Sequence, residues 1–181
     1  MAYGWEGEKI RLVPLDVEKH LENAVVWFND PEVTQWLLVG DTPLTKLAER
    51  DYFEARGRDT GQDIGMAVET LDGQHVGFSG IHQIKWRDGT AVTGTVIGDK
   101  ACWGKGFGSD IVRTRTRYAF EVLGLRLLLS GCIDGNVASY KMLFKNGYRE
   151  YGRAPKKFWK RGAYRDEIMM CVAREDWEAG R

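Results

Sequence analysis

The sequence predicts a mixed α/β fold in which an antiparallel group of strands leads into a strand–helix–strand–helix unit. Three observations support this prediction. Asp72-Gly73 and Asp88-Gly89 each stand between two runs that read as strands, as in tight β-hairpins. The run 126–133 is almost continuously apolar, which is typical of a strand covered on both faces. Segments with a helical apolar period precede and follow that run.

The first third of the chain predicts one strand and three helices. Alternating apolar residues indicate the strand, and the helices show a helical apolar period or a start signal. Asp16 is placed to cap the first helix, and Thr42 followed by Pro43 has the residue types of an N-cap and a first helical residue. The expected elements are a strand over 8–13 and helices over 17–28, 32–38 and 43–56.

The rest of the chain predicts six strands and two helices. Gly124 ends the first of these helices, and Asn146-Gly147 ends the second. The two hairpin turns join the first three strands into an antiparallel meander. The expected strands cover 63–70, 75–86, 91–98, 126–133, 148–159 and 163–173, and the expected helices cover 106–122 and 136–145.

Composition and charge exclude several classes of protein. The 181 residues suit one domain over 1–181, and the formal net charge of zero argues against a nucleic-acid coat protein. The three cysteines are too scattered for a disulfide framework or a metal knuckle, and no metal is expected. The chain shows neither a signal peptide nor the ~18–20 apolar residues of a membrane helix, so a cytoplasmic protein without membrane contact is expected.

One segment is strongly basic. Residues 141–165 carry nine basic residues and a single acid, Glu150. Such a block suggests an anionic ligand or partner, or else a solvated strand pair with lysines at its edges. Phe158, Trp159 and Tyr164 stand among the basic residues, as on RNA-binding surfaces, but aromatic residues are equally ordinary in strands. Nucleic acid is therefore the less favoured partner.

The segment from Val96 to Ser109 has the pattern of a phosphate-binding helix start. Gly104, Gly106 and Gly108 lie where a helix begins, and a helix start has unbonded N–H groups and a positive dipole end. Glycines let a phosphate approach those amides. Neither the Walker A pattern nor the dinucleotide fingerprint is complete here. The segment predicts a pyrophosphate cradle, with a tight turn that binds nothing as the alternative.

A second motif follows about thirty residues later, from Asn136 to Tyr148. Together the two segments resemble the Gcn5-related N-acetyltransferases, and more closely their RimJ/RimL-like branch. The first family motif reads Gln or Arg, two residues, Gly, one residue, then Gly or Ala, and Trp103 replaces its Gln or Arg here. The second motif is matched at each fixed position. The resemblance covers nearly the whole chain.

The resemblance implies a GNAT fold, with a mostly antiparallel sheet that splits at one parallel pair of strands and helices on both faces. It implies acetyl-CoA as co-substrate, bound in that split. Asn136 would cap the following helix and turn toward acetyl-CoA, and Lys141 and Lys145 are candidates for its 3′-phosphate. The implied backbone contacts to pantetheine are at Val96, Ile97 and Gly98, and those to the pyrophosphate region are at Trp103, Gly104, Lys105, Gly106, Phe107, Gly108 and Ser109.

The resemblance also implies acetyl transfer by direct attack of a primary amine, with a backbone N–H near Ile97 polarising the carbonyl. Many relatives protonate the leaving thiolate with a Tyr where this chain has Leu143, so Ser139 is the expected catalytic residue and Tyr140 the alternative. The stretch 91–95 lacks the Glu that often serves as base. His82, on a central strand, is a candidate, and the missing Glu mildly favours an α-amine, whose pKa near ~8 is below that of Lys.

Trp27 and Trp36 are expected at the acceptor site, although aromatic residues more often fill a core. The acceptor is expected to be a small-molecule amine or a peptide N-terminus, and a homodimer is one assembly to consider. Two other functions stay open. The missing Tyr and Glu suggest a CoA-binding sensor without turnover, and the basic hairpin over 153–165 suggests an RNA- or ribosome-associated module.

Overall fold

The computed structural model describes residues 5–58 and 61–180, and within them seven strands form one sheet in the order β1-β2-β3-β4-β5-β7-β6. The strands are β1 (Ile10–Pro14), β2 (Ile64–Thr70), β3 (His75–Lys85), β4 (Thr90–Ile97), β5 (Leu127–Ile133), β6 (Arg149–Lys160) and β7 (Ala163–Ala173). The helices are α1 (Val17–Phe28), α2 (Pro31–Thr34), α3 (Lys46–Gly57), α4 (Phe107–Arg117), α5 (Val137–Lys145) and α6 (Arg174–Ala179).

Within the described ranges the sheet has one parallel pair of strands, and the sheet divides where those two strands separate. β4 and β5 are paired from Thr90–Leu127 to Val92–Leu129 and then diverge, whereas every other neighbouring pair is antiparallel. The open space between the two strands is called the fork below. The predicted mixed sheet with a split parallel pair is confirmed.

Helices cover both faces of the sheet, as predicted. Successive side chains of β3 point to opposite faces. Phe78 packs against Phe28 of α1 and Phe53 of α3. The neighbouring Ser79 accepts a hydrogen bond from the Arg115 guanidinium of α4 at 3.1 Å. The two faces therefore carry different helices, with α1 and α3 on one side and α4 on the other.

Two predicted helices near the N-terminus differ from the structure. The helix expected from Pro43 begins at Lys46, and its N-cap is Thr45, whose hydroxyl accepts from the Ala48 N–H at 3.1 Å. The Asn29 side chain explains the later start, because it bonds both the N–H and the carbonyl of Leu44, at 2.9 Å each. The helix expected over 32–38 is only α2, which ends at Thr34.

Three features in the second half refine the prediction. The helix expected over 106–122 is α4 followed by a π-helical segment, Tyr118–Val122. β5 is not covered along its whole length, since Leu128 is fully buried but Gly131 is exposed at the fork. The short α6 was not predicted. Over the described ranges, no helix combines the length and the apolar character needed to cross a membrane.

Candidate active site

A cavity of about 260 Å³ occupies the fork between β4 and β5. Its walls combine the diverging ends of both strands with the start of α5, the residues after α2 and one arginine of α4. It is lined by Trp36, Leu37, Leu38, Gly94, Thr95, Arg115, Ser130, Gly131, Cys132, Ile133, Asn136, Ser139, Met142, Leu143, Phe158 and Glu167. Strand separation has therefore produced a slot that reaches into the sheet.

The backbone of β4 offers donors to this slot. Gly98 N–H donates to the Val76 carbonyl on the β3 side, at 3.0 Å. The backbone N–H and C=O groups of successive residues point to opposite edges of a strand. The backbone groups of Thr95 and Ile97 therefore point toward the fork. Of the expected trio, Val96 and Gly98 therefore face β3, and the Ile97 carbonyl accepts from the Trp103 indole at 2.9 Å. Because the described pairing of β4 with β5 ends at Val92, the amides of Thr95 and Ile97 face the fork without a strand partner.

The predicted cradle is an open helix start. Gly106 is left-handed at φ 84° and begins α4. The Asp110 N–H donates to the Gly106 carbonyl at 3.2 Å, whereas the amides of Phe107, Gly108 and Ser109 have no backbone acceptor among the described residues. A Cβ added at Gly106 would have only the Lys9 ammonium within 4 Å, at 3.8 Å. The space before these amides is open, so the residues present fit a diphosphate.

Two other parts of the cradle motif have structural roles. The Lys105 carbonyl accepts from the Lys9 ammonium at 2.9 Å. A Cβ at Gly108 would lie 2.7 Å from the Met142 sulfur, so a larger residue here would displace the Met142 side chain where α4 and α5 approach closely. Glycine at this position therefore serves helix packing.

The start of α5 brings the second motif to the fork. The Asn136 carboxamide caps α5 by accepting from Ser139 N–H at 3.1 Å, and both residues line the cavity. The Ser139 hydroxyl makes no hydrogen bond with the described residues. Tyr140 instead stacks on Phe144 and is not among the lining residues. Of the two residues considered for the thiolate, Ser139 is the one that faces the fork.

Sequence reasoning missed a buried arginine beneath the fork. Arg115 is 0% exposed, and its guanidinium donates to the Gly94 carbonyl at 2.6 Å and to the Thr95 hydroxyl at 2.5 Å. Burial lowers the pKa of Arg115 from its usual value. The Gly94 carbonyl and the Thr95 N–H belong to one peptide group, so this bond polarises the amide that points toward the fork. The signal in the sequence is a cation four residues after Ile111, on the apolar face of the helix.

A second cavity, of about 390 Å³, lies on the α1 and α3 side of the sheet. It shares Leu37, Leu38, Gly94 and Thr95 with the first, so the two cavities meet at β4. Its walls are largely apolar, with four ionisable side chains among them, Glu49, Tyr52, Arg56 and His82. It is lined by Leu15, Phe28, Leu37, Leu38, Val39, Glu49, Tyr52, Phe53, Arg56, Gly65, Met66, Phe78, Ser79, Gly80, His82, Gly94, Thr95 and Val96.

His82 lies in this second cavity, close to the junction. A Cβ at Gly80 would be 2.2 Å from His82 Nε2, so the imidazole lies across that glycine, whose partner on β4 is Gly94. His82 Nδ1 is 3.1 Å from the Asp63 carboxylate. A carboxylate only accepts, so Nδ1 carries the proton and Nε2 keeps a free lone pair. Burial lowers the pKa of His82, and the bond to Asp63 only partly offsets this.

An irregular backbone after His82 accompanies the contact between His82 and Asp63. Gln83 has φ 50°, and the β3–β4 register shifts after His82, which marks a β-bulge. The Asp63 carboxylate also accepts from the Gln83 N–H at 3.4 Å and pairs with the Arg56 guanidinium at 2.9 Å. Burial would raise the pKa of Asp63, but these bonds and charges outweigh it and lower the pKa. Asp63 is therefore an ionised partner for His82.

Glu49, on the first turn of α3, is the acid that lines the second cavity. It is 5% exposed, and its Oε1 has no hydrogen-bond partner among residues 5–58 and 61–180. Burial raises the pKa of this carboxyl. Neither Glu49 nor Asp63 was expected from the sequence, because each becomes informative only through neighbours that are distant along the chain.

The two tryptophans expected at the acceptor site lie in different places. Trp36 lines the first cavity and packs over Gly135, where a Cβ would be 2.8 Å from its ring. Trp27 lines neither cavity. It packs on His75, with ring centroids 4.7 Å apart, and covers Gly98 at the end of β4.

Several charges of the basic segment are used inside the protein. Lys160 is buried, and its ammonium donates to the Asp41 carboxylate and to the Val39 carbonyl, each at 3.0 Å. Arg161 donates to the Pro31 carbonyl at 3.1 Å. These contacts tie the end of β6 and the β6–β7 turn to α2 and the segment after it, so part of the basic block has a structural role. The three cysteines are free thiols.

Residues 9–149 match the family model of the Acetyltransferase (GNAT) domain. The chain belongs to the GNAT acetyltransferase family. A probable N-acetyltransferase of Bacillus subtilis, YjcK, is 29% identical over 180 residues, which span 96% of this chain and 98% of YjcK. With the family established, the chain is an acetyl-CoA-dependent acetyltransferase, and the fork and cradle are its candidate site for that co-substrate.

Two solved structures illustrate the likeness. A spermidine N-acetyltransferase from Vibrio cholerae, in complex with CoA and spermine, has a TM-score of 0.84 at 17% identity, over 93% of this chain and 98% of that one. A putative acetyltransferase from T. thermophilus has a TM-score of 0.79 at 25% identity, over 97% of this chain and 91% of that one. At 17% identity, the first likeness concerns the fold.

Proposed function

We propose that this acetyltransferase transfers the acetyl group of acetyl-CoA to a primary amine by direct attack, as a member of the RimJ/RimL-like branch. The observation that carries the proposal is the meeting of the two cavities at Gly94 and Thr95. One cavity is lined by Asn136 and Ser139 of the second sequence motif, and the other contains His82 and Glu49 among apolar walls. An acyl group and an amine entering from opposite faces of the sheet meet at this point.

Bound acetyl-CoA supplies the acetyl group as a thioester. The amides of Phe107, Gly108 and Ser109 are the donors for its diphosphate. The amides of Thr95 and Ile97 are the donors for the acyl oxygen, where negative charge develops during attack. Arg115 strengthens the Thr95 donor through the Gly94 carbonyl and adds a positive charge beneath the fork.

His82 and Ser139 handle the protons of the reaction. As the nitrogen–carbon bond forms and the carbon–sulfur bond breaks, His82 Nε2 accepts the proton that the amine loses. The lowered pKa of His82 keeps the imidazole neutral at pH 7 and therefore ready to accept. The Ser139 hydroxyl donates a hydrogen bond to the departing sulfur, because Leu143, which stands where relatives carry the Tyr, has no proton to donate.

The acceptor is a small-molecule amine or a peptide N-terminus. The absence of a Glu at 91–95 no longer decides the class of amine, because His82 supplies a base that accepts the amine's proton during the attack. The second cavity, at about 390 Å³, suits a small molecule or a short peptide end. The Vibrio cholerae protein, whose structure contains spermine, adds support for a small amine.

The second candidate is a CoA-binding sensor without turnover, favoured by Leu143 at the position where relatives carry Tyr. The His82–Asp63 pair weakens this alternative, because it provides a base in place of the missing Glu. An RNA-associated module has less support, since Lys160 and Arg161 of the basic hairpin bind other parts of the chain.

Release of free CoA thiol from acetyl-CoA over a panel of primary amines and short peptides tests the proposal. We expect turnover with some amines, and binding of CoA without turnover by any amine would favour the sensor. Gly106→Glu is expected to abolish acetyl-CoA binding. Gly124→Glu is its matched control, since Gly124 also has a positive φ, 70°, and nothing within 4 Å of an added Cβ, and lies at the far end of the helical segment. Equal loss of binding in both variants would contradict the cradle assignment.

A further inference from the structure

The second cavity contains a carboxylate that the protein leaves without a partner. Glu49 is 95% buried, given its 5% exposure, and its Oε1 has no hydrogen-bond donor within the described ranges. Glu49 itself lines the cavity. The cation on the same wall, Arg56, is already paired with Asp63 at 2.9 Å. The unbonded oxygen therefore belongs to a residue at the edge of an open space.

Such a carboxylate is unfavourable unless something else binds it. Burial of an ionised carboxylate without a compensating bond opposes folding strongly. The position of Glu49 in the first turn of α3 favours a negative charge only weakly, because the helix dipole has a small effect. Leu15, Phe53 and Met66 in the cavity walls offer no donor side chain, and neither Tyr52 nor His82 of the same lining bonds to the Glu49 Oε1. The missing partner is therefore expected to come from a bound molecule, and its charge is expected to be positive.

The partner of Glu49 differs from the nitrogen that reacts. The attacking nitrogen must be neutral, whereas a carboxylate next to an amine raises its pKa and keeps it protonated. His82, with its free Nε2 beside the Gly80–Gly94 pair, already serves the reacting nitrogen at the junction. A second positively charged nitrogen on the same acceptor meets both requirements.

We infer that Glu49 binds a cationic group of the acceptor other than the amine that is acetylated. This inference rests on the proposed function. The acceptor class is then a diamine or an aminoalkyl compound, with two nitrogen centres joined by an apolar chain that contacts Leu15, Phe53 and Met66. The apolar chain of the acceptor lies along the apolar wall of the second cavity. The nitrogen that is acetylated reaches the junction at Gly94, and the other nitrogen pairs with Glu49.

Steady-state kinetics with two amines of equal length test this assignment. The probes are 1,5-diaminopentane and pentylamine, and the proteins are the wild type, Glu49→Gln, and the control Glu54→Gln, which alters an exposed acid of the same helix. We expect Glu49→Gln to raise the KM for the diamine by about tenfold or more, the loss typical of a hydrogen bond to a charged group. Its kcat, and the kinetics with pentylamine, are expected to stay near those of the wild type.

A binding measurement without turnover provides the second readout. Thermal unfolding of the free protein is followed with and without 1,5-diaminopentane, in the absence of acetyl-CoA. We expect the diamine to raise the Tm of the wild type and of Glu54→Gln but not of Glu49→Gln. Without diamine, Glu49→Gln is expected to unfold at the same or a higher temperature, since an unpaired buried carboxylate has been removed.

The possible outcomes separate the two proposals. Equal increases in KM for both amines would place the reacting nitrogen at Glu49 and overturn the inference, while leaving amine acetylation intact. No change for either amine would also overturn it, because Glu49 would then be a buried acid without a ligand. A diamine-dependent Tm shift that needs Glu49, in a protein that releases no CoA thiol with any amine, would support the binding site and reject turnover.

Discussion

Replacement of His82 by Gln tests the proton-transfer step. Gln keeps a polar side chain within reach of Asp63 but does not accept a proton near neutral pH. Nε2 of His82 lies across Gly80, whose strand partner Gly94 belongs to both cavities. General-base catalysis typically contributes about 10²–10⁴-fold. We therefore expect kcat to fall by about 10²-fold or more, with acetyl-CoA binding unchanged because the cradle is untouched.

The pH dependence of the reaction rate provides a second test of His82 as the base. Burial lowers the pKa of His82 below its usual value of 6.5, so the imidazole is neutral at pH 7 and becomes protonated only in more acidic solution. The wild-type rate should therefore lose about tenfold per pH unit below that lowered pKa, in addition to any effect of the amine's own titration. His82→Gln should lack this acidic limb.

Asp63→Asn separates positioning from catalysis. The bond from His82 to Asp63 raises the pKa of His82 against the larger effect of burial. Loss of the carboxylate charge should therefore move the acidic limb to lower pH, and kcat should fall because the imidazole tautomer is no longer fixed. CoA thiol release between pH 5 and 9 measures both variants. A wild-type acidic limb in His82→Gln, or an unmoved limb in Asp63→Asn, would refute the assignment of His82 as base.

Three further predictions concern other parts of the molecule. Ser139→Ala should lower kcat more than it weakens acetyl-CoA binding, and an unchanged kcat would leave the hydroxyl without a role at the sulfur. Arg115→Met should lower kcat about tenfold, because the Thr95 N–H is no longer polarised. Its Tm should fall little, since a buried charge is removed. A normal kcat would contradict this role of Arg115. His75 is 7% exposed and burial lowers its pKa from 6.5 to about 4, so its neutral form stabilises the fold above pH 6.5 and this stability is lost as pH falls toward 4. Urea unfolding at pH 7 and pH 4.5 should show a loss larger than in His75→Gln by up to about 3 kcal/mol, and equal losses would contradict it.

The parts of the site that were predictable depend on residues close together in sequence. The cradle needs only glycines at a helix start, and Gly106 meets that need within a few residues. Asn136 likewise caps the helix that contains Ser139 three positions later. Local spacing sufficed for both, because a helix start fixes its own geometry.

The parts that were missed depend on contacts between distant segments. Asp63 and His82 are 19 residues apart and meet because β2 and β3 pair and a bulge follows His82. Arg115 becomes meaningful only when α4 packs on the face of β4 that contains Gly94. The start of α3 was placed too early for the same reason, since Asn29 holds Leu44 outside the helix from 15 residues away. Local propensity does not include such tertiary bonds.

A crystal structure with a bisubstrate compound, in which CoA is joined through its sulfur to an alkyl diamine, tests the central proposal most directly. We expect the diphosphate at the amides of Phe107 to Ser109 and the sulfur in the fork near Ser139. The diamine should cross the junction at Gly94 into the cavity that contains His82 and Glu49. A diamine that leaves the fork by another path, with that cavity empty, would contradict the meeting of acyl group and amine at this point of the sheet.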